Sequence, residues 1–523
     1  VIKLTINNRI VETEEGTHLY EAAAAAGIDI PVMCRYIGTD HFTSCMVCVV
    51  KDCDTGKLIP SCSAKVRKGM VIVTDDEEVI RFRKTAIDLL LSEHVGECEA
   101  PCTLSCPAGM DIPRMNRLLA KGEFDEALKV VRQDIALPSV LGRICPAPCE
   151  GACRRKSIDE PVAICLLKRF AGDNKLTGKE RCKPVVPPSN SFKIAIAGAG
   201  PAGLSAAYYL QLKGYSCDVF EATSAAGGAI RSSIPENILP VNVLDAEISI
   251  IRDTGVTFLY NQPVDKSTFL KLIDSYHAVI IACRIDEKDI TAWGLESSDS
   301  GIKVDKRSYQ TSLEKVFAIG SAIRPSKMAV RSMGQGKEVA FSVDQFLHNR
   351  PVTGEPSMFN SRFGRLFEEE YPEYLKESVQ YGRRIPGNDI TEGFTREEVM
   401  QEAARCLRCD CRGKDNCLLR IFADDYGANQ KHFAGDRRKM IRKYDQHDYV
   451  IYEPGKCIKC GRCVRITELH KEELGLTFIG RGFDVEIGIP FSAELKEALT
   501  LTALEVVKAC PTGALKAKFI DKK

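Results

Sequence analysis

Twenty-three cysteines in 523 residues constrain this chain more than any other feature. Most of them fall in tight groups, at 34 to 62, 98 to 106, 145 to 165, 406 to 417 and 457 to 463. A disulfide framework belongs to small secreted domains and spreads its cysteines evenly, so clustered thiols in a chain this long point to metal. The length itself predicts several domains. Lysine plus arginine (72) nearly equals aspartate plus glutamate (71). No overall field therefore draws the chain to nucleic acid or anionic lipid, and a small neutral or acidic partner is expected. No apolar run approaches the roughly 20 residues of a membrane span; the strongest, "HAVIIAC" at 277 to 283, reads as a buried strand. With no basic and apolar leader at Val1, the expected location is cytoplasmic.

The first 75 residues open with the alternating runs "VIKLTIN" and "RIVETEEG", then a helical "THLYEAAAAAGIDIP". Cys34, Cys45, Cys48 and Cys62 follow at C-x10-C-x2-C-x13-C. That spacing suits a two-iron cluster, wrapped by a long loop with three sulfurs and closed by a distant fourth. Cys53 breaks the spacing and reads as packing. Residues 80 to 175 repeat apolar positions at a helical period, punctuated by cysteines in "HVGECEAPCTLSCPAG" and "ICPAPCEGACRRKSIDEPVAIC". Seven cysteines and His94 make eight potential ligands there, enough for two four-iron clusters. "KPVVPPSNS" at 183 to 191 reads as a linker.

"FKIAIAGAGPAGLSAAYYLQLKGYSCDVFEA" then predicts a buried strand, a glycine turn, a helix and a second strand ending at Glu221. Gly198, Gly200 and Gly203 would let the backbone approach a pyrophosphate at a helix N-terminus, with Glu221 on a ribose hydroxyl. The motif alone does not separate FAD from NAD. "GQGKEVA" at 334 follows a helical stretch and reads as part of that helix. Residues 351 to 445 read as polar and irregular around "CLRCDCRGKDNC". Its Cys406, Cys409, Cys411 and Cys417 fit either one zinc held by four thiolates or a cubane, and Arg405, Arg408 and Arg412 read as solvated surface. In "CIKCGRC", Cys457, Cys460 and Cys463 are spaced for a four-iron cluster, but Thr467 stands where two-cluster ferredoxins carry a further cysteine. The expected fourth ligand is Cys510 of "CPTGAL". Cys182, Cys217 and Cys283 read as lone buried thiols.

Three resemblances rest on these motifs. Residues 1 to 106, through the four-cysteine loop and "LLLSEHVGEC", resemble the N-terminal domain of the large iron–sulfur subunit of NADH dehydrogenase and of iron-only hydrogenases. This implies a β-grasp ferredoxin fold and a four-iron cluster taking His94 as a ligand. Residues 98 to about 345 resemble the small subunit of glutamate synthase, in which a helical double-cluster domain precedes a flavin domain. The likeness implies one site at Cys106, Cys145, Cys149 and Cys153 and another at His94, Cys98, Cys102 and Cys165. The family's usual ligand position is occupied here by Lys168, a poor ligand. The same likeness favours FAD, through "GGAIRSSIPENILP" with Gly228 and Arg231, and through Gly320 and Ser321 of "VFAIGSA". The family has aspartate where Ser321 stands, and its inserted NAD(P)H domain is missing. The last residues are similar to the ferredoxin-like segment of the same NADH dehydrogenase subunit, with one of its two cubanes lost.

The expected fold class is multidomain α/β and α+β. It comprises a plant-type [2Fe-2S] β-grasp ferredoxin domain at 1 to 78, a helical domain with two [4Fe-4S] sites at 79 to 182, and a Rossmann-like FAD domain at 192 to 350. A linker region with a four-cysteine metal knot follows at 351 to 445, then a single-cluster ferredoxin-like domain at 446 to 523. The expected cofactors are one [2Fe-2S], three [4Fe-4S] (four if 406 to 417 binds a cluster in place of zinc) and FAD. The resemblances imply an electron-transfer subunit of an oxidoreductase, relaying between an NADH-oxidising subunit that carries FMN and a hydrogenase or formate dehydrogenase module, with electron bifurcation left open. No residue reads as a catalytic acid, base or nucleophile. The competing expectation is a self-sufficient NAD(P)H-dependent oxidoreductase similar to the glutamate synthase small subunit.

Overall fold

Asn7 and Asn8, both at positive φ (49° and 62°), turn strand β1 (Ile2–Ile6) back into β2 (Arg9–Thr13). Two left-handed residues are what a two-residue hairpin of the right twist demands, and asparagine tolerates them. The computed structural model describes residues 1–39, 43–177, 184–379, 382, 384, 385, 392–435 and 438–518, so Cys182 lies outside the described residues. They divide into two units: Val1–Glu99 with Met358–Lys376 and Cys409–Lys523, and Ala100–Ser357 with Glu377–Arg408. Among the described residues no helix is long and apolar enough to cross a membrane.

In the first unit, β3 (Val49–Asp52), β4 (Lys57–Pro60) and β5 (Val71–Val73) complete a sheet of order β2-β1-β5-β3-β4, with β1 parallel to β5. Leu4, Ile6, Leu19 and Ile72 form its buried core together with Cys34, Cys45, Cys48 and Cys62. Helix Glu77–Ser92 starts at Asp76, whose carboxylate accepts from the Val79 amide at 2.8 Å. Its buried Arg83 donates to the Val49 carbonyl through two nitrogens at 3.0 and 2.8 Å, tying helix to sheet. Near the other end of the chain, Val450–Tyr452 pairs antiparallel with Leu515–Ala517, which brings "CIKCGRC" beside "ACPTGAL".

The second unit begins with helices Pro101–Ser105, Ile112–Ala120, Phe124–Asp134, Pro138–Ile144, Pro148–Gly151 and Ile164–Asp173. Four of them carry proline in the first turn, where its missing N–H costs nothing. Pro138–Ile144 and Ile164–Asp173 cross backbone to backbone. A methyl at Gly142 would stand 2.5 Å from Arg169 Cα, and one at Gly172 2.7 Å from the Ser139 nitrogen. The segment expected to be irregular instead contains helix Arg396–Ala404, closed by a Thr395/Glu398 capping box, and helix Leu418–Asp425. Arg155, fully buried, donates to Ser378 Oγ and to the carbonyls of Val379 and Arg405 at 2.9 to 3.0 Å, pinning 377–408 onto the helical part. Arg405, read from sequence as solvated, is 2% exposed and pairs with Glu402 at 2.8 Å and Asp159 at 3.0 Å. Arg412 is buried as well. Arg155 and Arg405 join segments far apart in the chain, and a local charge count cannot reveal that.

Glu247, on helix Val241–Asp253, accepts from the Val140 amide at 3.0 Å and so caps Pro138–Ile144 across the unit. Burial pushes its carboxyl up to about 7, against the pull of nearby Arg132. The native state therefore keeps a proton that the unfolded chain, titrating near 4.5, releases. The sign follows: this contribution to stability is fully present below about pH 4.5 and lost as pH rises through about 7. Glu247→Gln should flatten that decline by roughly 3 kcal/mol, read as the pH dependence of the melting midpoint between pH 5 and 8.

The remaining sheet is parallel. Its strands are β6 (Lys193–Ala197), β7 (Ser216–Phe220), β8 (Thr257–Leu259), β9 (Ala278–Ile281) and, after the small hairpin β10 (Ser297–Ser298) and β11 (Gly301–Ile302), β12 (Val316–Ala318). The order β12-β9-β6-β7-β8 places the topological switch between β6 and β9, where such sheets bind ligands at their carboxyl ends. "GQGKEVA" lies inside helix Ala329–Leu347, as its sequence context predicted.

Candidate iron–sulfur and nucleotide sites

Cys34, Cys45, Cys48 and Cys62 are all buried and their thiols interact in one network. Hydrogen bonds from Cys45 and Cys62 hold Cys34 well below the usual thiol range, and the Cys62 contact brings Cys48 down to about 7. The order of these four along the chain was legible from spacing, and the fold gathers all of them. Cys53 is exposed, not packed, with its backbone amide on the Val71 carbonyl.

Cys457, Cys460, Cys463 and Cys510 line one small apolar cavity with Tyr452. Burial raises Cys457 and Cys460 to about 12, and each thiol also feels its neighbours' charge. Lys459 and Gly461, both at positive φ, wrap the loop around the cavity, and helix Ala503–Ala509 delivers Cys510 at its end. The chain thus presents four converging thiols without a fifth at Thr467. That residue is buried, its hydroxyl donating to the Val464 carbonyl at 2.9 Å and accepting from the Leu476 amide at 3.2 Å.

In the helical part Cys165 lies beside thiols that the resemblance would assign to the other site. Cys165 interacts directly with Cys145 and with Cys149. Cys145 pulls its pKa down while Cys149 and burial push it up, to about 11. Lys168, one turn on and 3% exposed, donates to Cys165 Sγ at 3.8 Å. Burial works against its charge, which the thiols of Cys165, Cys145, Cys149 and Cys106 sustain. Cys145, Cys149 and Cys165 therefore lie together, with Cys106 in the field of the same lysine ammonium. Cys153 instead faces Cys406 and Arg405. Cys102 sits in Pro101–Ser105, which packs on Pro148–Gly151. The physical reason is the glycine-to-glycine crossing described above, which sets the end of Pro138–Ile144 against the start of Ile164–Asp173.

The four cysteines of the knot fall on both sides of a unit boundary. Cys406 belongs to the second unit, Cys409, Cys411 and Cys417 to the first. Four thiolates on one zinc would stand about 3.8 Å from each other; among the described residues no three His, Cys, Asp or Glu side chains gather around a single-ion site. Cys98 shares the first unit with Cys411 and Cys417, while its expected companions Cys102 and Cys165 are in the second. His94 is half-buried, and desolvation together with Lys456 lowers its pKa to about 4. Its ring borders a cavity of about 730 Å³ lined by Arg362, Arg365, Lys431, Arg438 and Lys439.

At the switch point, Gly198 has φ 106° and a methyl there would lie 2.9 Å from Cys283 Cβ. A methyl on Gly203 would strike the Gly198 carbonyl oxygen at 2.0 Å, whereas one on Gly200 would meet nothing within 4 Å. The first and third glycines thus serve packing and the second leaves open space, the division of labour a pyrophosphate cradle needs. Gly228 (φ 52°) backs Gly200, and Gly320 (φ 62°) abuts Ala202. Glu221 already accepts from the Ala199 amide and from the Thr223 amide and hydroxyl, each at 2.9 Å, so it shapes the turn with one acceptor site to spare for a ribose. Arg231 is engaged by the Ala226 carbonyl and Asp245. Ser321 is exposed, and Cys217 is buried on β7.

Four family matches cover these regions. Residues 1–77 match a 2Fe-2S iron-sulfur cluster binding domain, 92–180 the 4Fe-4S domain II of dihydropyrimidine dehydrogenase, 196–258 an NAD(P)-binding Rossmann-like domain, and 448–516 the ferredoxin-like domain of NADH-quinone oxidoreductase subunit 3. Two kinds of iron–sulfur domain and a Rossmann-like nucleotide unit therefore share one chain. Among curated proteins it is 40% identical over 208 residues to NADPH-Fe(3+) oxidoreductase subunit beta of Geobacter sulfurreducens, covering 39% of this chain and 30% of that one. It is 39% identical over 224 residues to NADP(+)-dependent formate dehydrogenase subunit beta of Moorella thermoacetica (39% and 31%). It is 36% identical over 186 residues to NAD-dependent dihydropyrimidine dehydrogenase subunit PreT of Escherichia coli (35% and 45%). The chain spans less than half the length of each of these relatives.

Proposed function

We propose that this chain is an iron–sulfur flavoprotein subunit of an oxidoreductase, relaying single electrons between an NADH-oxidising partner that carries FMN and a hydrogenase or formate dehydrogenase module in the cytoplasm. The observation that carries the reading is the set of separate converging thiol groups, at 34/45/48/62, 106/145/149/165 and 457/460/463/510, beside a single nucleotide cradle. Ligands, not proton donors, populate these sites. FAD in the cradle would exchange electrons in pairs while each cluster takes one, which is also what a bifurcating complex requires of a flavin. Gly198, Gly200 and Gly203 would hold its pyrophosphate, with Glu221 toward the ribose. The relatives named as subunits of NADPH-, NADP- and NAD-linked enzymes support a role inside an assembly.

We infer that Cys406, Cys409, Cys411 and Cys417 serve iron–sulfur clusters rather than one four-thiolate zinc, since among the described residues no three ligand side chains gather around a single-ion site. Metal analysis of the anaerobically purified chain should give about 18 iron and no zinc, and about 14 iron with one zinc would restore the zinc knot. The purified chain alone should be reduced by dithionite but not by NADH or NADPH at catalytic rates. A second reading, the self-sufficient NAD(P)H oxidoreductase, is favoured by the NAD(P)-binding description of the family matched at 196–258. Rapid bleaching of the isolated chain by NADPH would establish it and end the partner-dependent one.

A further inference from the structure

The first unit brings Cys98, Cys411 and Cys417 to one place: the charge of Cys411 acts on both Cys98 and Cys417, and that of Cys98 acts on Cys417. The Cys411 amide donates to the Cys98 carbonyl at 3.1 Å, and Leu418, next to Cys417, donates to the Pro511 carbonyl at 2.8 Å. The three thiols are 7, 7 and 6% exposed. Cys411 Sγ points at Gly513, where a methyl would stand only 2.2 Å from the sulfur, so glycine there keeps the space beside the thiol open. The same methyl position is 3.6 Å from Lys456 Cδ. Lys456 in turn runs past Gly96, where a methyl would lie 2.9 Å from Lys456 Cγ and 3.0 Å from His94 Nε2. His94 therefore reaches the same neighbourhood from the segment that carries Cys98. Its Nδ1 is buried and has no hydrogen-bond partner among the described residues, which is unfavourable unless something satisfies the ring.

The surroundings suit an anionic group. Lys456, buried and paired with Glu453 at 2.7 Å, lies in the field of Cys411. Arg420, held by Glu99 at 3.0 Å and by the Phe359 carbonyl at 2.8 Å, lies in that of Cys98. Two fixed cations against three thiols match the second-shell pattern that tunes clusters.

We propose that Cys98, Cys411 and Cys417, with His94 as the fourth ligand, hold a [4Fe-4S] cluster within the first unit. The proposal rests on the iron–sulfur reading of the chain and adds to it a site that joins the segment after helix Glu77–Ser92 to the segment before helix Leu418–Asp425. Among the described residues the thiols do not gather around a single-ion site, and they come from two distant segments of the chain, which is why spacing within either segment alone does not show the site.

The test uses the full chain produced anaerobically, with iron analysis and electron paramagnetic resonance of the dithionite-reduced protein. Cys98→Ser, Cys411→Ser and Cys417→Ser should each remove the same one cluster signal and about four iron, and the Cys411→Ser/Cys417→Ser double variant should lose no more than either single. His94→Cys should keep the iron and move that one signal's midpoint downward, because a thiolate adds negative charge. Signals that differ among the three serine variants, or a His94→Cys protein whose spectrum and midpoints equal wild type, would overturn the site. The Cys457/Cys460/Cys463/Cys510 signal is the internal control for folding. A wild-type chain without any iron would instead overturn the functional reading, so the two failures are distinguishable.

Discussion

Serine at Cys165 should remove the same four-iron signal as serine at Cys145, while serine at Cys153 should leave that signal in place and remove another. The fold sets Cys165 against Cys145 and Cys149, with Cys106 in the field of the same lysine, and turns Cys153 toward Cys406. The resemblance-based grouping predicts the reverse, with Cys153 paired to Cys145, so electron paramagnetic resonance of the three variants decides between them. Each loss should amount to about four iron per chain. Lys168→Met sharpens the result. Its ammonium donates toward Cys165 Sγ and stabilises negative charge, which is greatest on the reduced cluster. A charged hydrogen bond of about 1.5 to 3 kcal/mol corresponds to a drop in that cluster's midpoint on the order of 65 to 130 mV, with its iron retained.

Gly203→Val should abolish flavin retention and destabilise the Rossmann-like sheet together. A β-carbon at 203 would sit 2.0 Å from the Gly198 carbonyl oxygen, a backbone atom with nowhere to go. Overpacking of this kind costs roughly 1 to 3 kcal/mol or more. Gly200→Ala separates binding from folding. Its backbone is extended (φ −76°, ψ −176°), and no atom lies within 4 Å of the added methyl, so melting should be unchanged. The methyl would nevertheless occupy the approach of a pyrophosphate, and cofactor affinity should fall about tenfold or more, equivalent to about 1.4 kcal/mol. Flavin absorbance after gel filtration and a melting curve for each variant read the two effects. Equal flavin content in Gly200→Ala and wild type would remove the cradle from the proposed function.

Much of the site was legible in the chain. "GAGPAG" after a strand, the C-x10-C-x2-C-x13-C loop and "CIKCGRC" with a later Cys510 are local patterns, each set by one turn or one loop whose length the spacing states directly. Even the lone Thr467 was informative, since its absence as a ligand agrees with a buried hydroxyl that closes its own turn. What local pattern could not carry was the burial of Arg405 and Arg412, because their partners or neighbours lie far along the chain. Nor could it carry the split of "CLRCDCRGKDNC" between two units.

The amino-acid sequence by itself therefore determined the inventory: the candidate ligands, the presence of 2Fe-2S and 4Fe-4S domains, and the glycine motif where a nucleotide's phosphates would lie. Tertiary structure alone decided the partition of ligands into groups. A thiol's membership depends on distances between helices, and those are set by contacts such as Gly142 and Gly172 on the crossing helix, Gly513 beside Cys411, and the pairing of Val450–Tyr452 with Leu515–Ala517. Each of these contacts joins residues about 30 to 100 positions apart, beyond the reach of any spacing rule for one loop or one helix turn.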